Sequence, residues 1–326
     1  MAANSRICII SCYFGSLPQY FPLWLRSCSY NPDIDFLVFS DQNGGGLPDN
    51  VRLVHTTLDR IRQRIEEILQ MKVSLERPYK LCDFKPMYGD IFSEYLTGYD
   101  YWGHCDIDLI FGQIRPFLER YHLEEYDRFL GAGHLSLYRN SGEVNKRYLT
   151  KGGSRRDYEE VYASARSWYF DENAGMGSKY ISFGWPFFQG LLMADIHPAW
   201  HRYKLVTVPG SELKNYDHQV FFWENGKIYR EAILPDDSHV RDEFIYCHFQ
   251  KRGNLPMENE CLKTDGFFIS YKGFFPKKSE VSMSDIDRYN PFPGERYERR
   301  EESRSKWRGH IATMKIIFLK LLGQFN

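Results

Sequence analysis

The chain has 326 residues, a formal net charge of −1 and a hydrophobic share of 43%. That length and apolar content allow one large packed domain, or a domain with an appendage, while the balanced charge leaves no electrostatic footprint for wholesale nucleic-acid binding. The seven cysteines are scattered and include no C-x-x-C pair, which excludes a disulfide framework or a zinc ribbon as the organising device and fits a reducing compartment.

Met1 to Arg6 carries no apolar signal-peptide core, and no uninterrupted apolar run is long enough to cross a bilayer. The expected location is therefore cytoplasmic. Arg6 to Phe14 reads as a strand, with Ile7, Ile9 and Ile10 supplying β-branched bulk. A helix over Tyr20 to Ser29 follows, with Pro22 in its first turn. Asp35 to Ser40 is a second strand that ends at Asp41, before Gly44-Gly45-Gly46, and Val51 to Thr56 is a third. Leu58, Ile61, Ile65, Ile68 and Leu69 recur at helical spacing, which predicts a helix over Leu58 to Val73. A further helix is expected over Asp83 to Leu96, with Asp83 as its N-cap. Strands alternating with helices argue for an α/β sheet whose ligand lies at the carboxyl ends of the strands.

The next segment, Tyr99 to Gly112, reads as a mostly apolar strand ending on Asp106 and Asp108. Residues i and i+2 of an extended segment share a side, so both carboxylates can face one pocket. Two acids so close repel each other and call for a cation, and a hard divalent ion with oxygen ligands is the usual answer. Such an ion also binds a diphosphate, which suggests a nucleotide-sugar site. Arg128 to Tyr138 and Tyr203 to Val208 are further strand candidates. Val220 to Arg230 reads as a hairpin around Asn225-Gly226. Phe244 to Phe249, carrying His248, is the last strand expected.

Four stretches together resemble a bacterial glycosyltransferase with a GT-A fold, of the kind found in surface-polysaccharide (capsule or O-antigen) synthesis. They are Ile9 to Gly15, Lys80 to Pro86, Asp106-Ile107-Asp108 and Tyr246 to Lys251. A family containing galactosyl- or galactofuranosyltransferases is similar too. The resemblance implies an α/β, Rossmann-like mixed sheet flanked by helices, and Mn2+ or Mg2+ held by the D-x-D with the donor diphosphate. It gives Asp108 direct ligation, Asp106 a contact to ribose or the donor sugar as well as the metal shell, and His248 the completing ligand. A core histidine satisfied by backbone is the other reading of His248. Imidazole beside carboxylates favours Mn2+ over Ca2+.

Around that centre, Ser11 to Gly15 resembles the nucleotide loop, with Ser11 in it and Tyr13 bordering the base or simply in the core. Asp41 is read as a partner of uracil or ribose, or as the acid that starts a turn. Lys80, Asp83 and Lys85 suit phosphate at a helix start, or are a solvated helix start. Lys251, beside Gln250 and Arg252, suits a diphosphate. Asp171, Glu172 and Asp217 follow the metal motif, where a carboxylate base on the acceptor hydroxyl would sit; each is otherwise a surface loop acid. His134 would border the donor sugar, and Trp185 is either an acceptor platform or core.

Residues 1–271 are expected to form the catalytic domain, 272–302 an irregular arm, and 303–326 a basic amphipathic helix. That tail either lies on an anionic membrane surface or docks on the body. The partners expected are a nucleotide-sugar donor, a glycan or lipid-linked acceptor and the inner-membrane surface, with no nucleic acid. Three rivals remain. A phosphatase would place its D-x-D at the first strand, which has no aspartate. A nucleotidyltransferase would carry a Gly-rich basic loop there, which Gly15-Ser16-Leu17-Pro18 matches poorly. The third rival is a non-catalytic carbohydrate- or nucleotide-binding protein.

Overall fold

The computed structural model describes residues 5–207, 211–250, 252, 254–298 and 300. Its centre is a seven-stranded mixed sheet flanked by helices, the α/β architecture expected from the sequence. The first half supplies β1 (Ile7–Cys12), α1 (Phe21–Ser29), β2 (Ile34–Ser40), β3 (Val51–His55), α2 (Leu58–Leu69), α3 (Tyr88–Ile91), β4 (Tyr101–Cys105), β5 (Leu109–Phe111), α4 (Ile114–Arg120), β6 (Arg128–Phe129), β7 (Leu135–Arg139) and α5 (Tyr158–Ala163). The second supplies α6 (Ser178–Ser182), β8 (Phe187–Phe188), β9 (Ala194–Asp195), β10 (Gln219–Glu224), β11 (Lys227–Ile233), β12 (His239–Phe244), β13 (Tyr246–His248), β14 (Gly266–Ser270), β15 (Gly273–Lys277) and α7 (Met283–Tyr289).

The central order is β3-β2-β1-β4-β7-β6-β8. β3, β2, β1 and β4 run parallel, and β7 lies antiparallel to β4. Strands covered on both faces need continuous apolar sequence, and Ile7, Ile9 and Ile10 are all buried, as are Phe36 and Val38. α1 buries Leu23 and Trp24 in one core cluster, while α2 presents Ile61 and Ile65 to the cluster on the other side. Thr57 caps α2 by accepting the Arg60 N–H at 3.2 Å, and Gln70 ends it with φ +52°. The antiparallel order β12-β11-β10-β14-β15 forms a second sheet, and β5-β13-β9 a third. β10 and β11 are the hairpin expected from Asn225-Gly226, whose φ values of +48° and +84° fit a type I′ turn. All seven cysteines are free, and five of them are buried.

Several expected elements take another form. Asp83 to Leu96 is not one helix: a 3-10 segment covers Pro78–Met87, then α3 follows. Pro86 disfavours α-helical backbone at Lys85 before it. Arg128 to Tyr138 splits into β6 and β7 around Leu130, whose φ is +67°. Leu205 makes a single bridge to Ile196 rather than a strand. The stretch read as an irregular arm contains β15 and α7, the latter with a Ser282/Asp285 capping box. The reason is apolar: Val281 and Ile286 pack with Val220 and Phe222. The expected tail helix, 303–326, lies outside the described residues. Among the described residues no helix is long and apolar enough to cross a membrane.

His104 on β4 is fully buried, with neither ring nitrogen hydrogen-bonded. Burial, with Lys85 and Arg128 nearby, holds its pKa well below the usual histidine value. The ring therefore stays neutral in the fold, while the unfolded chain takes up its proton near pH 6.5. Stability is expected to fall as the pH drops through that value, by about 1.4 kcal/mol per pH unit for this one proton. Thermal melts of His104→Leu across pH 5–8 should show a flatter acid limb than the parent; an unchanged limb would assign the loss to other groups.

Candidate metal and nucleotide site

The Asp106-Ile107-Asp108 segment is where the chain leaves the central sheet for the three-stranded one. β4 ends at Cys105 and β5 begins at Leu109. Ile107 is buried and anchors the step. The Asp106 N–H donates to the His134 carbonyl at 3.0 Å, and the Asp108 carbonyl accepts from the Phe249 N–H at 3.1 Å. Pairing of β13 with β5 sets His248 opposite Leu109, next to Asp108. The parallel pairing of β13 with β9 sets His248 opposite Asp195.

The side chains converge accordingly. His248 Nε2 lies 3.5 Å from Asp108 Oδ1, and its Nδ1 is 2.8 Å from Asp195 Oδ1. Asp106, Asp108 and His248 each offer a ligand atom within 4.8 Å of the others, as do His134, Asp195 and His248. Burial opposes charge on His248, yet the hydrogen bonds its ring donates to Asp108 and Asp195 outweigh it and raise its pKa to about 9. Burial also opposes ionisation of Asp108, and His248 more than offsets this, so its pKa falls below the usual carboxylate value. His134 lies stacked on His248 at a centroid distance of 4.0 Å, and shares a 2.7 Å hydrogen bond with the Tyr246 hydroxyl. Burial and the neighbouring His248 push its pKa well below the ordinary value.

Lys85 enters from the other side. Its buried ammonium is 2.7 Å from Asp106 Oδ1, 2.7 Å from the Gly133 carbonyl and 3.2 Å from Asp171 Oδ2. Burial disfavours its charge, but Asp106 and Asp171 overcome that and raise its pKa. Asp171 is 1% exposed, and its Oδ1 is buried with no hydrogen-bond partner. Burial pushes its pKa up to about 7 against the pull of Lys85, with Glu172 and Asp106 adding to the rise. Gly133 allows this approach: a Cβ there would lie 2.5 Å from Asp171 Oδ2 and 2.9 Å from Glu172 Cγ. Gly133→Ala is expected to displace Asp171 from Lys85 and cost about 1–3 kcal/mol, read as a lower urea midpoint. An unchanged midpoint would mean that the 131–134 loop moves aside freely.

The other expected site residues divide. Ser11 is buried at the end of β1, and Tyr13 is half-buried close enough to Asp108 to feel its charge. Exposed Asp41 accepts the Gly15 N–H at 2.9 Å, which holds the loop after β1 and, with Gln42, lowers its pKa. Glu172 is exposed beside Asp171. Lys80 and Asp83 are not at a solvent-facing helix start. Both are buried and bonded to each other at 2.7 Å, with Asp83 accepting from the Trp168 and Phe170 N–H groups. Their role is internal because the 161–170 segment closes over them. Asp217 is exposed ahead of β10, its carbonyl held by Arg202, with no described contact to the Asp106–Asp108 region. Lys251 lies outside the described residues. Trp185 stacks on Phe183 at 4.9 Å with Arg147 over its ring. Asp195 and Tyr246 are the contributors that sequence reasoning missed. The available signal for Asp195 was an acid inside the apolar run Leu191 to Ile196. A separate open cleft, lined by Asp35, Arg52, Glu94, Tyr95 and Tyr99, borders none of these groups.

Residues 9–278 match a family of unknown function, DUF6625. No curated protein matches the chain. Among solved structures, the galactosyltransferase LgtC with donor and acceptor sugar analogs is similar at 16% identity and a TM-score of 0.24. The match covers 37% of this chain and 45% of that one, so it spans less than half of either. An active-site mutant of LgtC gives the same figures. A likeness this slight carries no argument about activity.

Proposed function

The chain belongs to this family of unknown function, and we propose that it is a metal-dependent glycosyltransferase with a GT-A-like fold. It would move a hexose from a nucleotide diphosphate sugar, UDP-linked galactose or galactofuranose foremost, to a glycan or lipid-linked glycan. The observation that carries the reading is the convergence of Asp106, Asp108 and His248 beyond the carboxyl end of β4. Two carboxylates and one imidazole suit Mn2+ or Mg2+. When bound, the ion supplies charge stabilisation to the leaving diphosphate.

The remaining residues take roles set by their positions. Asp108, just before β5, and His248, at the end of β13, hold the ion, while Asp106 is shared with Lys85. Lys85 keeps a fixed positive charge at the wall of the site, which favours an anionic donor. The Ser11 to Gly15 loop, braced by Asp41, borders the nucleotide, with Tyr13 beside Asp108. His134 faces the donor sugar. Of the two neighbouring acids, exposed Glu172 suits the acceptor hydroxyl, and buried Asp171 suits the anchoring of Lys85. A cytoplasmic setting at the inner membrane face, with residues 303–326 reaching toward a lipid-linked acceptor, completes the proposal.

Isothermal titration of UDP with and without Mn2+ tests it. Binding that requires the ion is expected, followed by metal-dependent hydrolysis of a UDP-sugar in a donor panel. Sugar binding that needs neither nucleotide nor ion would favour a non-catalytic carbohydrate-binding role, and no UDP binding with or without Mn2+ would overturn the proposal.

A further inference from the structure

Asp195 lies on β9, at the far side of His248 from the D-x-D. We infer that it is a positioning residue that fixes His248 so that Nε2 faces Asp106 and Asp108, an inference that rests on the metal reading above. The register makes His248 and Asp195 direct Cα partners across a parallel pair. Asp195 Oδ1 accepts from His248 Nδ1 at 2.8 Å and from the Gln250 amide nitrogen at 3.1 Å. Gln250 follows His248 by two residues, so two side chains from the same stretch brace one carboxylate. The ring is held a second time by its face: His134 stacks on it at 4.0 Å with an interplanar angle of 21°. Tyr246, two residues before His248, holds His134 in turn.

These restraints leave one free edge. Nδ1–H donates to Asp195, and Nε2 points at Asp108 Oδ1, 3.5 Å away, where a bound cation would replace the Nε2 proton. A carboxylate behind a ligating histidine sets its tautomer, orients the ring and raises its basicity. Asp195 also lies 4.0 Å from His134 Nε2, so the same atoms offer a rival arrangement, a cation between His134, Asp195 and His248. In that arrangement the Asp195 Oδ1 that faces His134 Nε2 is the same atom that already accepts from His248 Nδ1 and the Gln250 amide. The closed bond and the second donor from Gln250 favour positioning.

The experiment counts free Mn2+ by electron paramagnetic resonance during titration of the full-length protein, with Co2+ absorption spectra at saturation as the second readout. The parent should bind one Mn2+ per chain. Asp195→Ala should keep that stoichiometry and the parent's Co2+ band positions, with affinity weakened about 10- to 100-fold. Its metal-free melting temperature should drop far less than a general loss of fold would require. Should Asp195→Ala fail to fold, Asp195→Asn, which keeps the shape, carries the same comparison. Unchanged Mn2+ affinity in either variant would overturn the inference and leave the metal reading standing. Loss of one of two Mn2+ equivalents, or altered Co2+ bands, would overturn it in favour of direct ligation by Asp195. A parent that binds no Mn2+ would sink the metal reading and this inference with it.

Discussion

Asp108→Ala is expected to abolish Mn2+-dependent UDP binding and to lower sugar transfer on the order of 10³-fold, with the fold intact. The fold should persist because Asp108 serves the architecture through its backbone. Its carbonyl accepts the Phe249 N–H, and alanine keeps that bond. The side chain is one-third exposed, so its removal opens no sealed cavity. Its carboxylate, in contrast, stands opposite His248 Nε2, and β5, Leu109–Phe111, carries no acid that could replace it. The variant has a second signature. Asp108 and Asp195 together raise the His248 pKa to about 9. A raised histidine pKa contributes stability that is fully present below the unfolded value near 6.5 and is lost as the pH rises through about 9. Asp108→Ala should therefore remove part of the stability decline between those two pH values. UDP titration with Mn2+ checks the first effect and pH-resolved melts the second. Metal-dependent binding retained by the variant would sink the ligand role of Asp108.

What the sequence disclosed depended on whether the deciding contact was local. The D-x-D was legible as a pair of acids, but not through an extended strand: β4 ends at Cys105 and the chain bends at Ile107-Asp108, and both side chains still join one group with His248. The parallel strands were legible because β1 and β2 are apolar on both faces. The Asn225-Gly226 turn was legible because few residue pairs tolerate two positive φ values. Asp195 was hidden, since its partner His248 is 53 positions away and only the β9–β13 register joins them. Lys85 was read as a phosphate ligand because its charge is visible in sequence. Its commitments to Asp106, Gly133 and Asp171 span 21 to 86 positions and are invisible there. Pro86 was a local clue that went unused, because a proline disfavours α-helical backbone at the residue before it, here Lys85.

The largest expected loss of stability comes from Asp83→Ala, a substitution that the phosphate reading would have scored as functional. Asp83 is 0% exposed and accepts the Lys80 ammonium at 2.7 Å, the Trp168 N–H at 2.9 Å and the Phe170 N–H at 2.9 Å. Lys80 is just as buried, and its other donors reach the Val161 and Arg166 carbonyls at 2.8 and 2.7 Å. The pair thus staples the 161–170 segment to the 3-10 segment beneath it. Alanine leaves a buried ammonium without its counter-ion and orphans two backbone N–H groups. Breaking a buried pair from one side costs about 3–5 kcal/mol, and unpaired buried donors add to that. Against a typical total of about 5–15 kcal/mol, the variant should be marginal or unfolded at room temperature. Urea unfolding should show a lower midpoint at an unchanged slope. The same staple leads directly into Asp171, so a milder Asp83→Asn should also loosen the Lys85–Asp171 contact and weaken UDP binding through it. A variant with parental stability and only weakened nucleotide binding would return Asp83 to the phosphate-facing role and discard the staple.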